Sequence, residues 1–282
     1  MSLSIKPPFP PMEALSVDKI PRGDRWQYEP KWDGFRCLVF RDGDNVELQS
    51  KAGQPLARYF PEMVEAVKEL PAKQFVLDGE LVIPEGDRLS FDELLLRLHP
   101  AESRVRKLAT EHPAMLIVFD LLADGPKPKL VDVPLAERRA ALEKFAKVNF
   151  RKAKRIRLSP ATTDFKQANA WFSTPGESLD GVIAKRLDFN YRSGERDGMV
   201  KVKPIRTVDC VVGGFRYGEK TKVVGSLLLG LYDDVGLLHH VGFTSSIKKE
   251  ERPALTNKLE KLKGKGFTGR APGGPSRWST ER

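Results

Sequence analysis

The sequence is poor in cysteine and lacks long apolar runs. Of its 282 residues only Cys37 and Cys210 are cysteines, and they lie far apart in the chain. Two thiols in a chain of this length exclude a disulfide framework and a cysteine-rich zinc site. No apolar run approaches the roughly 18 residues that a membrane span requires, and the first residues lack the charged start and apolar block of a signal peptide. We therefore expect a reduced protein of the cytoplasm without a membrane partner.

The sequence also contains fewer acidic residues than basic ones. Lys and Arg number 48 against 38 Asp and Glu, which gives a net charge of +10 and a pI of about 9.5. An excess of this sign is typical of proteins that bind a polyanion such as nucleic acid. Because solubility alone would account for the same excess, the charge indicates a partner only together with other features.

Two domains of different texture are predicted. In the first part of the chain, strand-like apolar runs such as 114–122 alternate with helical segments such as 60–70, as in an α+β fold. After that part, short strands with glycine and Asp-Asp turns are typical of a small antiparallel barrel, and a helix follows over 248–263. We place the two domains at residues 1–205 and 206–282.

Five short motifs combine acids, lysines and an aromatic ring in a way that suits phosphate chemistry. Taken one at a time, each has an ordinary explanation as a surface turn, a core ring or a solvated strand face. In chain order, the motifs are Lys31-Trp32-Asp33-Gly34-Phe35-Arg36, Asp78-Gly79-Glu80, Phe119-Asp120, Asp180-Gly181-Val182-Ile183-Ala184-Lys185 and Lys201-Val202-Lys203.

In this order and combination the motifs resemble those of the covalent nucleotidyltransferase superfamily. Its members are the ATP- and NAD-dependent DNA ligases, the RNA ligases and the mRNA capping enzymes. The resemblance covers roughly residues 28–203, and the barrel-like segment after it is similar to the OB domain of the family. The residues around Lys31, the strand that contains Phe119 and the segment 226–234 look most like bacterial ATP-dependent DNA ligases that act in end joining and repair.

The resemblance implies a fold and a set of partners. The fold is α+β, with a nucleotidyltransferase (adenylation) domain of antiparallel sheets and flanking helices, followed by a partial OB-fold barrel. The implied partners are ATP, magnesium or manganese, and nicked or broken double-stranded DNA. The protein is expected to act as a monomer in the bacterial cytoplasm, at the nucleoid, alongside other bacterial DNA-repair proteins.

Lys31 is the catalytic residue that the resemblance implies. Its amine would attack the α-phosphate of ATP to form lysyl-AMP, the AMP would pass to a DNA 5′-phosphate, and the DNA 3′-hydroxyl would displace it. Because a free lysine amine has a pKa of about 10.4, neighbouring cations must favour its neutral form. Lys185, Lys201 and Lys203, with a metal ion, are expected to supply that charge and to stabilise the phosphates in the transition state.

The remaining roles also come from the resemblance. Oxygen ligands suit magnesium or manganese, and Glu80 and Asp180 are the candidate metal carboxylates. A flat apolar ring fits the face of a base, so Phe119 is expected to stack on adenine. The other expected nucleotide contacts are Glu29 at the adenine edge, Arg36 at the ribose and later at a DNA phosphate, Glu80 at the ribose hydroxyl or the metal, and Lys201 and Lys203 at the α-phosphate.

Several positions depart from the usual pattern of the family. Lys51 is also expected at the nucleotide-binding site, but it occurs in Ser-Lys-Ala-Gly where arginine is usual. It keeps the charge and loses the planar fork for bidentate contact with a phosphate or a terminal hydroxyl. Asp180 is one methylene shorter than the usual glutamate, and Met199 replaces an aromatic residue. The motif of the OB domain that orients the pyrophosphate is not found after Trp278. We therefore expect a truncated chain that adenylylates itself slowly from ATP.

Other functions stay open from the sequence. An NAD-dependent ligase is disfavoured, because the 30 residues before Lys31 leave little room for the additional domain that binds the nicotinamide half. An RNA ligase or a capping-type nucleotidyltransferase is the second interpretation. A nucleic-acid-binding relative without activity is the third, and the intact lysines and Glu80 at the motif positions argue against it.

Overall fold

A computed structural model gives the fold of the chain, which divides into two compact units, Met1–Pro204 and Ile205–Arg282. The predicted domain boundary at residues 205 and 206, and Trp278 with its neighbours, lie outside the described residues. No helix in the described part of the chain is long and apolar enough to cross a membrane. The residues that the structure describes are 3–125, 129–173, 179–204, 207–219 and 221–272.

Strands and helices follow one another as in an α+β fold. The strands in the described ranges are β1 (Leu15–Ser16), β2 (Trp26–Trp32), β3 (Phe35–Asp42), β4 (Asn45–Ser50), β5 (Gln74–Val82), β6 (Pro84–Glu85), β7 (Arg88–Leu89), β8 (Met115–Asp124), β9 (Ile156–Leu158), β10 (Leu179–Arg186), β11 (Met199–Val202), β12 (Val211–Tyr217), β13 (Val224–Tyr232) and β14 (Leu238–Thr244). The helices in the same ranges are α1 (Pro61–Lys68), α2 (Phe91–Arg97), α3 (Glu102–Glu111), α4 (Leu135–Asn149), α5 (Phe165–Ser173) and α6 (Arg252–Lys261).

A five-stranded sheet forms the centre of the first unit, in the order β4-β3-β5-β8-β9. Its pairs are antiparallel except β8–β9, which is parallel. Strands β3 and β4 form a hairpin whose turn contains Gly43 at a φ of +65°, a backbone conformation that favours glycine. Met63 of α1 and Phe145 of α4 are buried in the apolar cluster that includes this sheet.

A four-stranded sheet in the order β1-β11-β10-β2 forms the second layer of the first unit. Because β2 is an edge strand, it tolerates Pro30, which has no backbone N–H to donate. The chain leaves β2 and enters β3 through Asp33-Gly34, so it passes from one sheet to the other just after Lys31. A Cβ on Gly34 would lie 2.2 Å from the Leu81 carbonyl oxygen, so this crossing requires glycine.

The second unit contains an antiparallel sheet in the order β12-β13-β14, as expected for part of an OB-type domain. Helix α6 is joined to this sheet by Val224, whose N–H donates to Thr256 Oγ1 at 2.8 Å. The helix is shorter than the predicted segment 248–263, because Pro253 lies in its first turn, where proline favours a helix start.

The structure adds three details to the sequence interpretation. Helix α3 was not predicted, because only Val105 and Ala109 are buried in a largely polar segment. Strand β8 continues to Asp124, two residues beyond the predicted run 114–122, and Phe119 lies in its interior. Strand β11 ends at Val202, so Lys203 of the Lys201-Val202-Lys203 motif lies just after the strand. Pro204 cannot donate to a strand ladder, which favours this early end.

Candidate active site

A cavity of about 200 Å³ is bordered by both sheets of the first unit. Its walls come from β2, β10 and β11 of the four-stranded sheet, from β3, β5 and β8 of the five-stranded sheet, and from the segment 11–14. Asp180 and Lys203 do not line this cavity, although Asp180 contacts Lys31. The other eight predicted site residues line it together: Glu29, Lys31, Arg36, Lys51, Glu80, Phe119, Lys185 and Lys201.

Lys31 is the penultimate residue of β2, and its Nζ donates to Asp180 Oδ2 at 2.6 Å. The Nζ of Lys203 lies 2.5 Å from the same oxygen, so one carboxylate oxygen accepts from two ammonium groups. Burial by itself would raise the pKa of Asp180, but the hydrogen bonds and charges of Lys203 and Lys31 outweigh it and lower that pKa. Asp180 is therefore held as a carboxylate beside the amine of Lys31.

A β-bulge in β10 lies at Asp180, which contacts Lys31. The register between β10 and β2 shifts between Leu179 and Val182, on either side of Asp180-Gly181. Gly181 has a φ of +126°, and a Cβ at this position would lie 2.0 Å from the Val202 carbonyl oxygen. The sequence therefore places glycine directly after Asp180 because the backbone of β11 passes too closely for any side chain.

Positive charge is concentrated beside Lys31. Burial lowers the pKa of Lys201, and the charges of Lys51, Lys203, Lys31 and Arg196 lower it further. Each of these four side chains is therefore close enough to Lys201 to repel its charge, and a polyanion bound beside Lys201 would offset that repulsion. We refer to Lys31, Lys51, Lys201, Lys203 and Arg196 as the cationic cluster.

Glu13 is the acid that the structure places at the edge of the cationic cluster. Its Oε2 lies 2.9 Å from Lys51 Nζ and 3.1 Å from an Nη of Arg196. The hydrogen bond from Lys51 is the main reason why the pKa of Glu13 is lowered. Neither Glu13 nor Arg196 was predicted, because both come from segments without a recognisable motif.

Glu80 on β5 has an environment that suits a metal ion. Burial raises its pKa to about 7, and the charges of Arg36 and Lys31 oppose this rise only in part. Among the described residues no group of three or more His, Cys, Asp or Glu forms a metal site by itself. Magnesium, however, commonly takes one or two carboxylates together with phosphate oxygens and water. Glu80 and Asp180 fit that donor set.

A buried ion pair joins the two strands beside Phe119. Glu29 Oε2 accepts from Lys185 Nζ at 2.8 Å, and Glu29 Oε1 accepts from Gln27 Nε2 at 2.8 Å. Lys185 Nζ lies 4.5 Å from the centroid of the Phe119 ring. The sequence motifs do not include Gln27, although its spacing of two residues from Glu29 on a strand places both side chains on one face.

Arg36 is held by an ion pair with the fully buried Asp78. Its Nε and an Nη donate to the two oxygens of Asp78 at 2.5 and 2.6 Å, and its guanidinium lies 4.6 Å from the Phe119 ring centroid. Tyr191 donates its hydroxyl hydrogen to Asp78 at 2.6 Å and accepts from the Met12 N–H at 3.0 Å. Asp78 thus aligns Arg36, and Tyr191 links this pair to the segment 11–14 of the cavity wall.

Comparisons with known proteins extend over the same part of the chain. A family model described as ATP dependent DNA ligase domain matches residues 11–203. DNA ligase C2 of Mycolicibacterium smegmatis is 49% identical, over 93% of this chain and 73% of the relative. DNA ligase C of Mycobacterium tuberculosis is 47% identical, also over 93% of this chain and 73% of the relative. A solved structure of mycobacterial DNA ligase D complexed with ATP and MES is 25% identical, with a TM-score of 0.55 over 96% of this chain and 84% of that chain.

The matched family segment contains all ten predicted site residues and the cavity that eight of them line. It also spans more than half of the chain, and the two mycobacterial relatives are nearly half identical over most of their own length. The interpretation as a DNA ligase is therefore confirmed over the alternatives of an RNA ligase and a capping enzyme. The chain belongs to the family of ATP-dependent DNA ligases.

Proposed function

We propose that this DNA ligase seals nicked or broken double-stranded DNA through lysyl-AMP on Lys31. One observation carries the assignment of this residue. Lys31 lines the same cavity as Phe119 and Lys201, and its Nζ donates to Asp180 Oδ2 at 2.6 Å. The cavity that contains Lys31 thus also contains the ring of Phe119, which would bind the base, and Lys201 of the cationic cluster, which would bind the phosphates.

The first step forms a bond between Lys31 Nζ and the α-phosphorus of ATP. The neutral amine attacks, the bond from the α-phosphorus to the bridging oxygen breaks, and pyrophosphate leaves with the electron pair of that bond. The ammonium must lose one proton to solvent before or during the attack. Lys201 and Lys203 would stabilise the negative charge that develops on the phosphate oxygens, because their charges are already in place before the reaction begins.

Glu80 and Asp180 would hold a magnesium or manganese ion. When bound, such an ion neutralises phosphate charge and draws electron density from the α-phosphorus. The carboxylate of Asp180 is shared with Lys31 and Lys203, and that of Glu80 is raised in pKa by burial, so both gain from an added cation. The two carboxylates would therefore be the protein ligands of the divalent ion.

The adenine base and the ribose of ATP would bind to the part of the cavity formed by Glu29, Phe119 and Arg36. Glu29 offers a carboxylate to the amine of adenine, and Phe119 offers a flat ring to its face. Arg36 would contact the ribose, and later a DNA phosphate, while Asp78 keeps its guanidinium in one orientation. Lys51, at the edge of the cationic cluster, would contact the DNA at the nick.

Two further steps complete the reaction. An oxygen of the DNA 5′-phosphate attacks the phosphorus of lysyl-AMP, the N–P bond breaks, and Lys31 regains a proton. The 3′-hydroxyl then attacks the 5′-phosphorus, AMP leaves, and the phosphodiester bond is complete. The protein would act as a monomer, which light scattering tests as a mass of 31.7 kDa.

The experiment is an intact-mass measurement before and after ATP and magnesium, for the wild type, Lys31→Ala and Lys107→Ala. Lys107 is an exposed lysine of α3, so it serves as the matched control. We expect one added AMP in the wild type and in Lys107→Ala, and none in Lys31→Ala. An adduct that persists in Lys31→Ala would refute the assignment.

A second assay covers the case of slow reaction with ATP. Nicked DNA that already carries AMP on its 5′-phosphate bypasses the first two steps. We expect the wild type and Lys31→Ala to seal this substrate, because Lys31 is then no longer the nucleophile. A chain that binds the nick but seals neither substrate would be a binding protein without activity.

A further inference from the structure

Gln27 lies on β2 beside the cavity, and only 4% of its surface is exposed. It is not among the residues that line the cavity, and its side chain is directed to Glu29, which does line it. Its side-chain Nε2 donates to Glu29 Oε1 at 2.8 Å. Any influence of Gln27 on a nucleotide is therefore expected to act through Glu29.

Glu29 is held from its other side by Lys185. The Nζ of Lys185 lies 2.8 Å from Glu29 Oε2, and Lys185 is the direct partner of Gln27 in the register of β2 with β10. All three side chains are buried. The carboxylate of Glu29 is thus fixed by two donors, one on each oxygen.

Two opposed donors set the plane of the carboxylate. A charged donor attracts a carboxylate more strongly than a neutral one. Without the amide of Gln27, both oxygens of Glu29 would turn toward the ammonium of Lys185. Each carboxylate oxygen has two acceptor positions, so the observed arrangement leaves Glu29 able to accept a further hydrogen bond from the cavity that it lines.

We propose that Gln27 is a positioning residue that keeps Glu29 oriented toward the exocyclic amine of adenine and so favours ATP over nucleotides with a carbonyl at that place. The inference rests on the proposed contact between Glu29 and the adenine edge. A 6-amino group donates to a carboxylate, whereas a 6-carbonyl oxygen would face it with a second acceptor. Such mismatches discriminate strongly in sites built around a hydrogen bond.

The test compares Gln27→Met with its parent, since methionine has a similar length and no amide donor. Both are made in the Lys31→Ala background, where the proposed covalent step cannot consume the nucleotide, and binding is measured by titration calorimetry. The ligands are ATP and purine riboside triphosphate, which lacks the 6-amino group. We expect Gln27→Met to raise the Kd for ATP about tenfold and to leave the Kd for purine riboside triphosphate unchanged.

An equal rise in Kd for both nucleotides would mean that Gln27 only supports the fold, and no rise for ATP would mean that it has no role; either result overturns the proposal. Gln167→Met on α5 is the matched control, because Gln167 is exposed, and it should change neither Kd. If Gln27→Met does not fold, Gln27→Leu replaces it, because leucine also lacks the amide donor and adds no charge beside Glu29, and it is expected to show the same dependence on the 6-amino group. Binding is read independently of adduct formation, so a failure of the lysyl-AMP assignment remains a separate result.

Discussion

Among single residues, Glu80 is the carboxylate whose charge is least well compensated in the site. Asp180 accepts from two ammonium groups on one oxygen, and its pKa is lowered. Glu80 has only the more distant charges of Arg36 and Lys31, and burial raises its pKa to about 7. The protein without metal therefore holds a proton on Glu80 in a pH range where the unfolded chain has lost it.

This difference predicts how Glu80→Gln changes stability with pH. Between the ordinary pKa near 4.5 and the folded value of about 7, the folded state binds more protons than the unfolded state. The free energy of unfolding contributed by Glu80 therefore falls as pH rises through this window. We expect Glu80→Gln to match the wild type near pH 5 and to exceed it by about 1–3 kcal/mol at pH 8.

Urea unfolding at the two pH values, in the presence of a chelator, measures this effect. Magnesium added at pH 8 should stabilise the wild type more than Glu80→Gln, because a ligand that binds only the folded state adds stability. Equal stabilities of the two proteins at pH 8 without metal would contradict the account of Glu80. An equal response of both proteins to magnesium would remove Glu80 from the metal site.

Among the strands, the bulge of β10 decides where Asp180 points. Gly181 allows the bulge because its φ is +126° and a Cβ there would meet the Val202 carbonyl at 2.0 Å. We expect Gly181→Ala to destabilise the protein by more than about 4 kcal/mol or to prevent folding, since overpacking and a strained backbone add. Where the variant folds at low temperature, it should have lost the contact between Asp180 and Lys31 and, with it, most lysyl-AMP formation.

Gly86→Ala is the control for the backbone strain alone. Gly86 also has a positive φ, of +61°, but no atom lies within 4 Å of the position of its Cβ. We expect a loss of about 1 kcal/mol for Gly86→Ala and normal adduct formation. Thermal unfolding and intact mass measure both variants, and a similar small loss for Gly181→Ala would show that β10 and β11 separate easily.

The sequence predicted strands better than their ends and their partners. The apolar run 114–122 predicted β8 and the helical spacing of 60–70 predicted α1, because these signals are local. Helix α3 was missed, since it buries few side chains and its polar residues are equally suited to a loop. The end of β11 and the bulge in β10 depend on how neighbouring strands approach, which no local pattern records.

In the site, too, the residues with a local sequence signal were predicted and those without one were missed. Motif residues such as Lys31 and Lys185 were identified by spacing and resemblance, and the structure brings eight of the ten into one cavity. Gln27, Tyr191 and Glu13 were missed, because each acts through a contact with a residue that is distant in sequence or carries no motif of its own. Spacing along the chain finds the residues that meet a ligand more readily than those that hold them in place.

For the whole molecule, the net charge of +10 is explained by the substrate of the family, because DNA is a polyanion. Positive charge alone did not distinguish a nucleic-acid partner from solubility. The cationic cluster adds a position to this charge, because it borders the cavity and three of its side chains are exposed, with 58% of Lys51, 67% of Arg196 and 48% of Lys203 accessible. Exposed cations near the site of phosphate chemistry are available to DNA phosphates.

The affinity for nicked duplex DNA should therefore fall steeply with salt. Each phosphate that is neutralised contributes about 0.9 to the slope of log K against log salt concentration. We expect Arg196→Ala to weaken binding and to reduce this slope by about 1. Arg106→Ala is the control, because Arg106 lies on α3 outside the cationic cluster, paired with Glu102. Fluorescence anisotropy at several salt concentrations measures both, and an unchanged slope in Arg196→Ala would mean that Glu13 retains Arg196 when DNA binds.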